Sequence, residues 1–128
     1  MLRAMSTEAL LEEVPEGARA TFSRLVREGV RSPAAMREQI PHYLESIRLA
    51  STQGGPPFSV GKAIARDCET LLDAWETHDE DGRALIRGAV EYFLLPRDGD
   101  DDLATPQGLD DDAAVVRAVI AHLGARPG

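Results

Sequence analysis

Val60, Ile64, Cys68, Leu71 and Trp75 recur at intervals of four, four, three and four residues, the spacing that stacks side chains on one face of an α-helix. The same rhythm returns in Leu85, Ile86, Ala89, Val90, Phe93 and Leu94, and again in Val115, Val116, Val119, Ile120 and Leu123. Nowhere does an alternation of β-branched and polar residues last the four or five positions that a half-buried strand needs. The expected fold is all-α, a compact bundle of about five to six helices. With 128 residues, 43% of them apolar, the chain is expected to form one domain and to bury roughly two thirds of its unfolded surface.

Local signals set the expected boundaries. Ser6 or Thr7 suits the cap of a short helix ending before Pro15, and Pro15 suits the first turn of the next. That second helix carries Phe22, Leu25 and Val26 on one face and stops at Gly29. Ser32 followed by Pro33 starts a stretch to Ala50, with Ile40, Tyr43, Leu44 and Ile47 as its stripe, kinked or split where Pro41 lacks an amide. STQGGPPFS, residues 51–59, joins this N-terminal helical layer, residues 1–50, to a three-helix unit over 60–124. In that unit Ser59 is the expected cap of a helix running to about His78. Asp81 is the expected cap of a helix through Leu95, and the last helix is expected from about Asp110 to Gly124.

Cys68 is the single cysteine, which excludes an intrachain disulfide and a cysteine-based zinc cage. A reducing cytoplasm is the expected compartment. Glu8, Glu12, Glu13 and Glu16 interrupt the first twenty residues, which do not read as a secretory or Arg-rich targeting segment. Arg87, Glu91 and Arg117 interrupt the most apolar windows, so no membrane span is expected. His42, His78 and His122 form no metal-binding pair, GGPPFS lacks the lysine and spacing of a phosphate loop, and Cys68 reads as a buried thiol. Trp75 and Phe93 read as core anchors or as the lining of a partner groove.

The net charge of −8 is concentrated rather than spread. Residues 98–112 hold Asp98, Asp100, Asp101, Asp102, Asp110, Asp111 and Asp112 with no Lys or Arg. Such a segment repels a phosphate backbone, so nucleic acid is not an expected partner of the C-terminal half. A cation or a basic protein surface is. Two carboxylates ~6 Å apart repel by about 0.7 kcal/mol even in water. Crowded aspartates therefore have to stay extended and solvated, lie at a helix N-terminus, or bind a cation.

The order Pro96, Asp98, Asp102, Gly108, Asp111, Asp112, following EYFLL and preceding AAVV, resembles the signature of the YkvA-like family, small bacterial proteins with a domain of unknown function. The resemblance covers Leu85 to Leu123. It implies a helix ending in a Tyr-containing apolar stretch, a turn with Pro, Asp and Gly, and an Asp-Asp pair that opens the next helix. Gly99, Asp100 and Asp101 depart from the family's two apolar residues and proline, and Asp110 replaces an apolar residue. The family brings no established chemistry to these positions.

Two readings of the aspartates remain. In the first, Asp110, Asp111 and Asp112 cap a helix and fill its first turn, while Asp98 makes an Asx-turn. In the second they bind Ca²⁺, Mg²⁺ or Mn²⁺, with Asp98 and Asp102 meeting Asp111 or Asp112. An EF-hand is excluded, because Leu103 and Leu109 fall where its glycine and its bidentate glutamate are required. With no nucleophile and base pair and no cofactor loop, the expected function is a non-enzymatic acidic protein that binds a basic protein surface or a divalent cation. The alternative is a metal-dependent hydrolase with an aspartate Mg²⁺ or Mn²⁺ site, for which only Glu91 or His122 is a nearby base. Seven aspartates make insertion of this turn into an anionic bilayer unfavourable, so a third reading, peripheral membrane association, is not expected.

Overall fold

The computed structural model describes residues 9–95 and 103–124. The described residues are mostly helical, with no strand among them. Residues 9–13 are helical and are labelled α1, and α2 (Arg19–Glu28), α3 (Pro33–Ser51), α4 (Phe58–Asp73), α5 (Glu80–Leu94) and α6 (Asp110–Leu123) follow. Single 3₁₀ turns at Glu16–Ala18 and Trp75–Thr77 lead into α2 and out of α4. The all-α bundle expected from the spacing is what forms. Among the described residues no helix is long and apolar enough to cross a membrane.

One core runs through all six helices, from Leu10 and Val14 through Phe22, Met36, Ile47, Cys68 and Phe93 to Val119. The most extensive helix contact joins α2 to α5, followed by α5 with α6 and α3 with α4. Within residues 9–50, α2 packs on α5, and α3 packs on α4 and α5. The ring of Tyr43 on α3 meets Phe93 on α5 edge-on, with centroids 5.0 Å apart, a geometry that adds to the area each ring buries. On the outside, Arg37 Nη2 donates to Asp73 Oδ1 at 2.6 Å and ties α3 to the end of α4.

Several boundaries differ from expectation for visible reasons. The stretch after Ser32 is not split: α3 passes through Pro41. Pro41 and Arg37 are both exposed, so water can satisfy the Arg37 carbonyl that loses its intrahelical donor. Ser59 is not a cap. Pro57, with φ of −59° and ψ of 141°, is the N-cap of α4, and its carbonyl accepts from the amides of Val60 and Gly61. The helix then ends at Asp73 rather than near His78, because the amide of Ala74 is shared between the Thr70 and Leu71 carbonyls, a tightening that leads into the 3₁₀ turn. Asp79, not Asp81, caps α5, its Oδ1 accepting from Gly82 N at 3.0 Å. Ser32 does cap α3, accepting from Ala35 N at 3.1 Å.

The Gly/Pro connection is packed. Gly55 and Pro56 are buried, and a Cβ on Gly55 would fall 2.3 Å from the Leu103 carbonyl oxygen. Gly54 takes φ of +92°, a left-handed conformation that favours glycine. The connection from α3 to α4 thus rests directly on the chain just before α6.

Candidate functional site

The described part of the acidic segment is the entry to α6. The amide of Gly108 donates to the Thr105 carbonyl and that of Asp110 to the Gln107 carbonyl, each at 3.1 Å. These turns deliver Leu109, 1% exposed, as the N-cap, with no side-chain capping bond. The aspartates are therefore not the cap. Asp110, Asp111 and Asp112 are the first three residues of the helix, where the open amides and the positive end of the helix dipole favour negative charge by ~0.3–1 kcal/mol each.

The three carboxylates do not share one direction. Asp110 and Asp111 are exposed, whereas Asp112 is 1% exposed, the one charged residue buried among the described residues. Helical geometry explains the division: Asp112 lies three, four and seven residues before Val115, Val116 and Val119, all at 0% exposure, so it begins the apolar stripe. Its charge is felt by Cys68 on α4. Burial pushes the Cys68 thiol well above its ordinary value, and the negative charges of Asp67, Asp112 and Glu69 push it further. The placement of Asp112 was legible as an i, i+3, i+4, i+7 pattern, but its residue type drew it to the acidic cluster instead.

Of the four aspartates in the expected metal set, Asp98 and Asp102 lie outside the described residues, as does the Asx-turn expected at Asp98. The other two, Asp111 and Asp112, differ in exposure as above. Among the described residues no group of three or more His, Cys, Asp or Glu side chains is placed to hold a metal ion. Neither base considered for a hydrolase belongs to the acidic turn. Glu91 Oε1 faces Arg31 Nε at 4.0 Å, beside the turn between α2 and α3. His122 lies in the last turn of α6, about 15 Å of helix rise from Asp112.

Trp75 packs against the core from its edge. It is half-buried and sits under two guanidinium groups, Arg83 at 5.7 Å and Arg87 at 5.3 Å from the ring centre. Arg83 Nε also donates to the Trp75 carbonyl at 2.8 Å, and Arg87 Nε to the Arg31 carbonyl at 3.3 Å. These arginines on α5 clamp the 3₁₀ turn on one side and the α2–α3 turn on the other, so Trp75 serves as a platform for cations. Phe93, at 0% exposure, is core. Comparison with family models, with curated proteins and with solved structures finds no match for this chain.

Proposed function

We propose that this chain is a non-enzymatic interaction protein that uses its acidic segment to contact a basic protein surface. The observation that carries the reading is the exposure of Asp110 and Asp111 at the start of α6, at the end of a segment with seven aspartates and no basic residue. The helix dipole makes these two charges inexpensive to hold in place, and their fixed position on α6 makes them available without further ordering. Attraction of this kind raises association rate and selectivity for a partner of opposite charge. The YkvA-like order of residues supports the same arrangement, a helical pair joined by an aspartate turn.

Basic protein is favoured over a divalent cation because Asp111 and Asp112 do not present their carboxylates to one side. Titration calorimetry with a deca-lysine peptide, and separately with millimolar Ca²⁺, Mg²⁺ and Mn²⁺, tests the choice. The expected result is binding of the peptide that weakens steeply as salt is raised and is reduced by Asp110→Asn with Asp111→Asn. Saturable binding of one of the cations, with no binding of the peptide, would replace this reading by a metal site.

A further inference from the structure

A cavity of about 180 Å³ opens between α4 and α6, lined by Ser59, Val60, Ala63, Ile64, Asp67, Ala113 and Arg117. Val60, Ile64 and the two alanines give it an apolar floor. Asp67 and Arg117 bring opposite charges to its wall, within electrostatic reach of each other yet, among the described residues, without an ion pair inside 4.0 Å. At ~30 Å³ for each water molecule in the liquid, the space equals that of roughly six waters. It is too small for the usual drug-sized ligand, whose pockets begin near 300 Å³, and leaves room only for a much smaller one.

We propose that this cavity binds a small aliphatic α-amino acid as its zwitterion, the ammonium facing Asp67, the carboxylate facing Arg117 and the side chain lying on Val60, Ile64 and the two alanines. A ligand with a single charge satisfies one wall and is repelled by the other. A zwitterion meets both, and the guanidinium offers a planar fork that matches a carboxylate. The ionisation of Asp67 fits the same picture. Burial holds its carboxyl above the ordinary value, and the positive charges of Arg117 and Arg66 only partly offset this, so an ammonium beside it supplies compensation that the protein alone does not. Ser59 lies at the rim, where its hydroxyl adds a polar contact. The site is separate from the exposed aspartates of the acidic turn and stands or falls apart from them.

The test is an NMR titration of the whole chain with L-leucine, and with isovalerate and isoamylamine as analogues that each carry one of its two charges. Leucine is expected to shift the methyl resonances of Ala63 and Ala113 with a dissociation constant in the millimolar range, and each analogue to bind at least tenfold more weakly. Asp67→Asn and Arg117→Gln, checked for unchanged folding by their dispersed amide spectra, are each expected to weaken leucine by tenfold or more. Leucine binding should also move the Asp67 carboxyl titration to lower pH. An absence of methyl shifts with leucine, equal binding of either analogue, or leucine binding unchanged in both variants would overturn the proposal.

Discussion

A Cβ on Gly88 of α5 would lie 2.5 Å from Cγ2 of Val26 on α2, so the two helices meet at a point where only a hydrogen fits. The Phe22 ring closes the same spot, with Cε1 at 3.2 Å from that position. Alanine at 88 would gain about 1 kcal/mol of helix propensity but would push α2 from α5 or force Val26 off its rotamer, at ~1–3 kcal/mol. Gly88→Ala is therefore expected to lower the urea midpoint. Gly17→Ala is the control, because no atom comes within 4 Å of its Cβ position, and it is expected to leave the midpoint unchanged or to raise it slightly. Equal midpoints for the two variants would show that the α2–α5 contact is not tight.

The caps make a second contrast. Ser32→Ala and Asp79→Ala each remove a side-chain oxygen that accepts from a first-turn amide, and each is expected to cost ~0.5–2 kcal/mol. Ser59→Ala removes a hydroxyl inside the first turn of α4, where no side-chain capping bond exists, and is expected to stay within about 0.5 kcal/mol of the parent. Thermal unfolding of the three variants measures this ordering.

Cys68 gives a prediction with a sign. Its thiol ionises at higher pH in the folded chain than when unfolded, first because it is buried and then because of nearby negative charge. A group raised in this way contributes stability fully below its unfolded value, ~8.5 for a thiol, and loses it as pH rises toward the folded value. Stability is expected to fall above about pH 8.5 in the parent and to fall less in Cys68→Ala, once the cavity cost common to every pH is subtracted. A disulfide reagent should likewise label Cys68 only upon unfolding; prompt labelling of the native chain would contradict its burial.

Asp67 follows the same rule in the acid range. Its folded-state carboxyl is raised by burial, with Arg117 and Arg66 opposing, so its charged form strains the fold at neutral pH and its protonated form does not. Asp67→Asn is expected to raise the melting temperature at pH 7, and the difference should shrink as pH falls through the raised folded-state value and vanish below ~3.9, the ordinary unfolded value. A lower melting temperature for the variant at pH 7 would mean that Arg117 outweighs burial.

The helices were legible because their stripes repeat at 3.6 residues: Ile64, Cys68 and Leu71 on α4 and Val115, Val116 and Val119 on α6 are all buried. Caps were harder, since Ser59 and Asp81 have the same chemistry as the residues that do cap, and only the neighbouring backbone decides. At Pro57 the fixed φ starts the helix before Ser59 is reached, and at Asp79 the extended backbone places the carboxylate over the Gly82 amide. Trp75 continues the α4 stripe and packs against the core, but the helix breaks before it and two arginines from α5 cover its ring, a tertiary contact that the stripe does not announce. In the acidic turn, composition identified the segment, while the division between exposed Asp110 and Asp111 and buried Asp112 depended on the phase of α6. The cavity at Asp67 joins residues some fifty positions apart in the chain, as the separation of Asp67 from Arg117 shows, and no local pattern announces it.

The most direct test of the interaction reading is to locate the basic partner's footprint by following backbone amide shifts of the labelled chain as deca-lysine is added at low salt. The account predicts that the largest shifts fall on residues of the acidic segment, with Asp110 and Asp111 among them, and that they vanish in Asp110→Asn with Asp111→Asn. Shifts spread evenly over the acidic residues of α4 and α5, or unchanged in the double variant, would show that the peptide senses only net charge and would contradict a dedicated acidic surface.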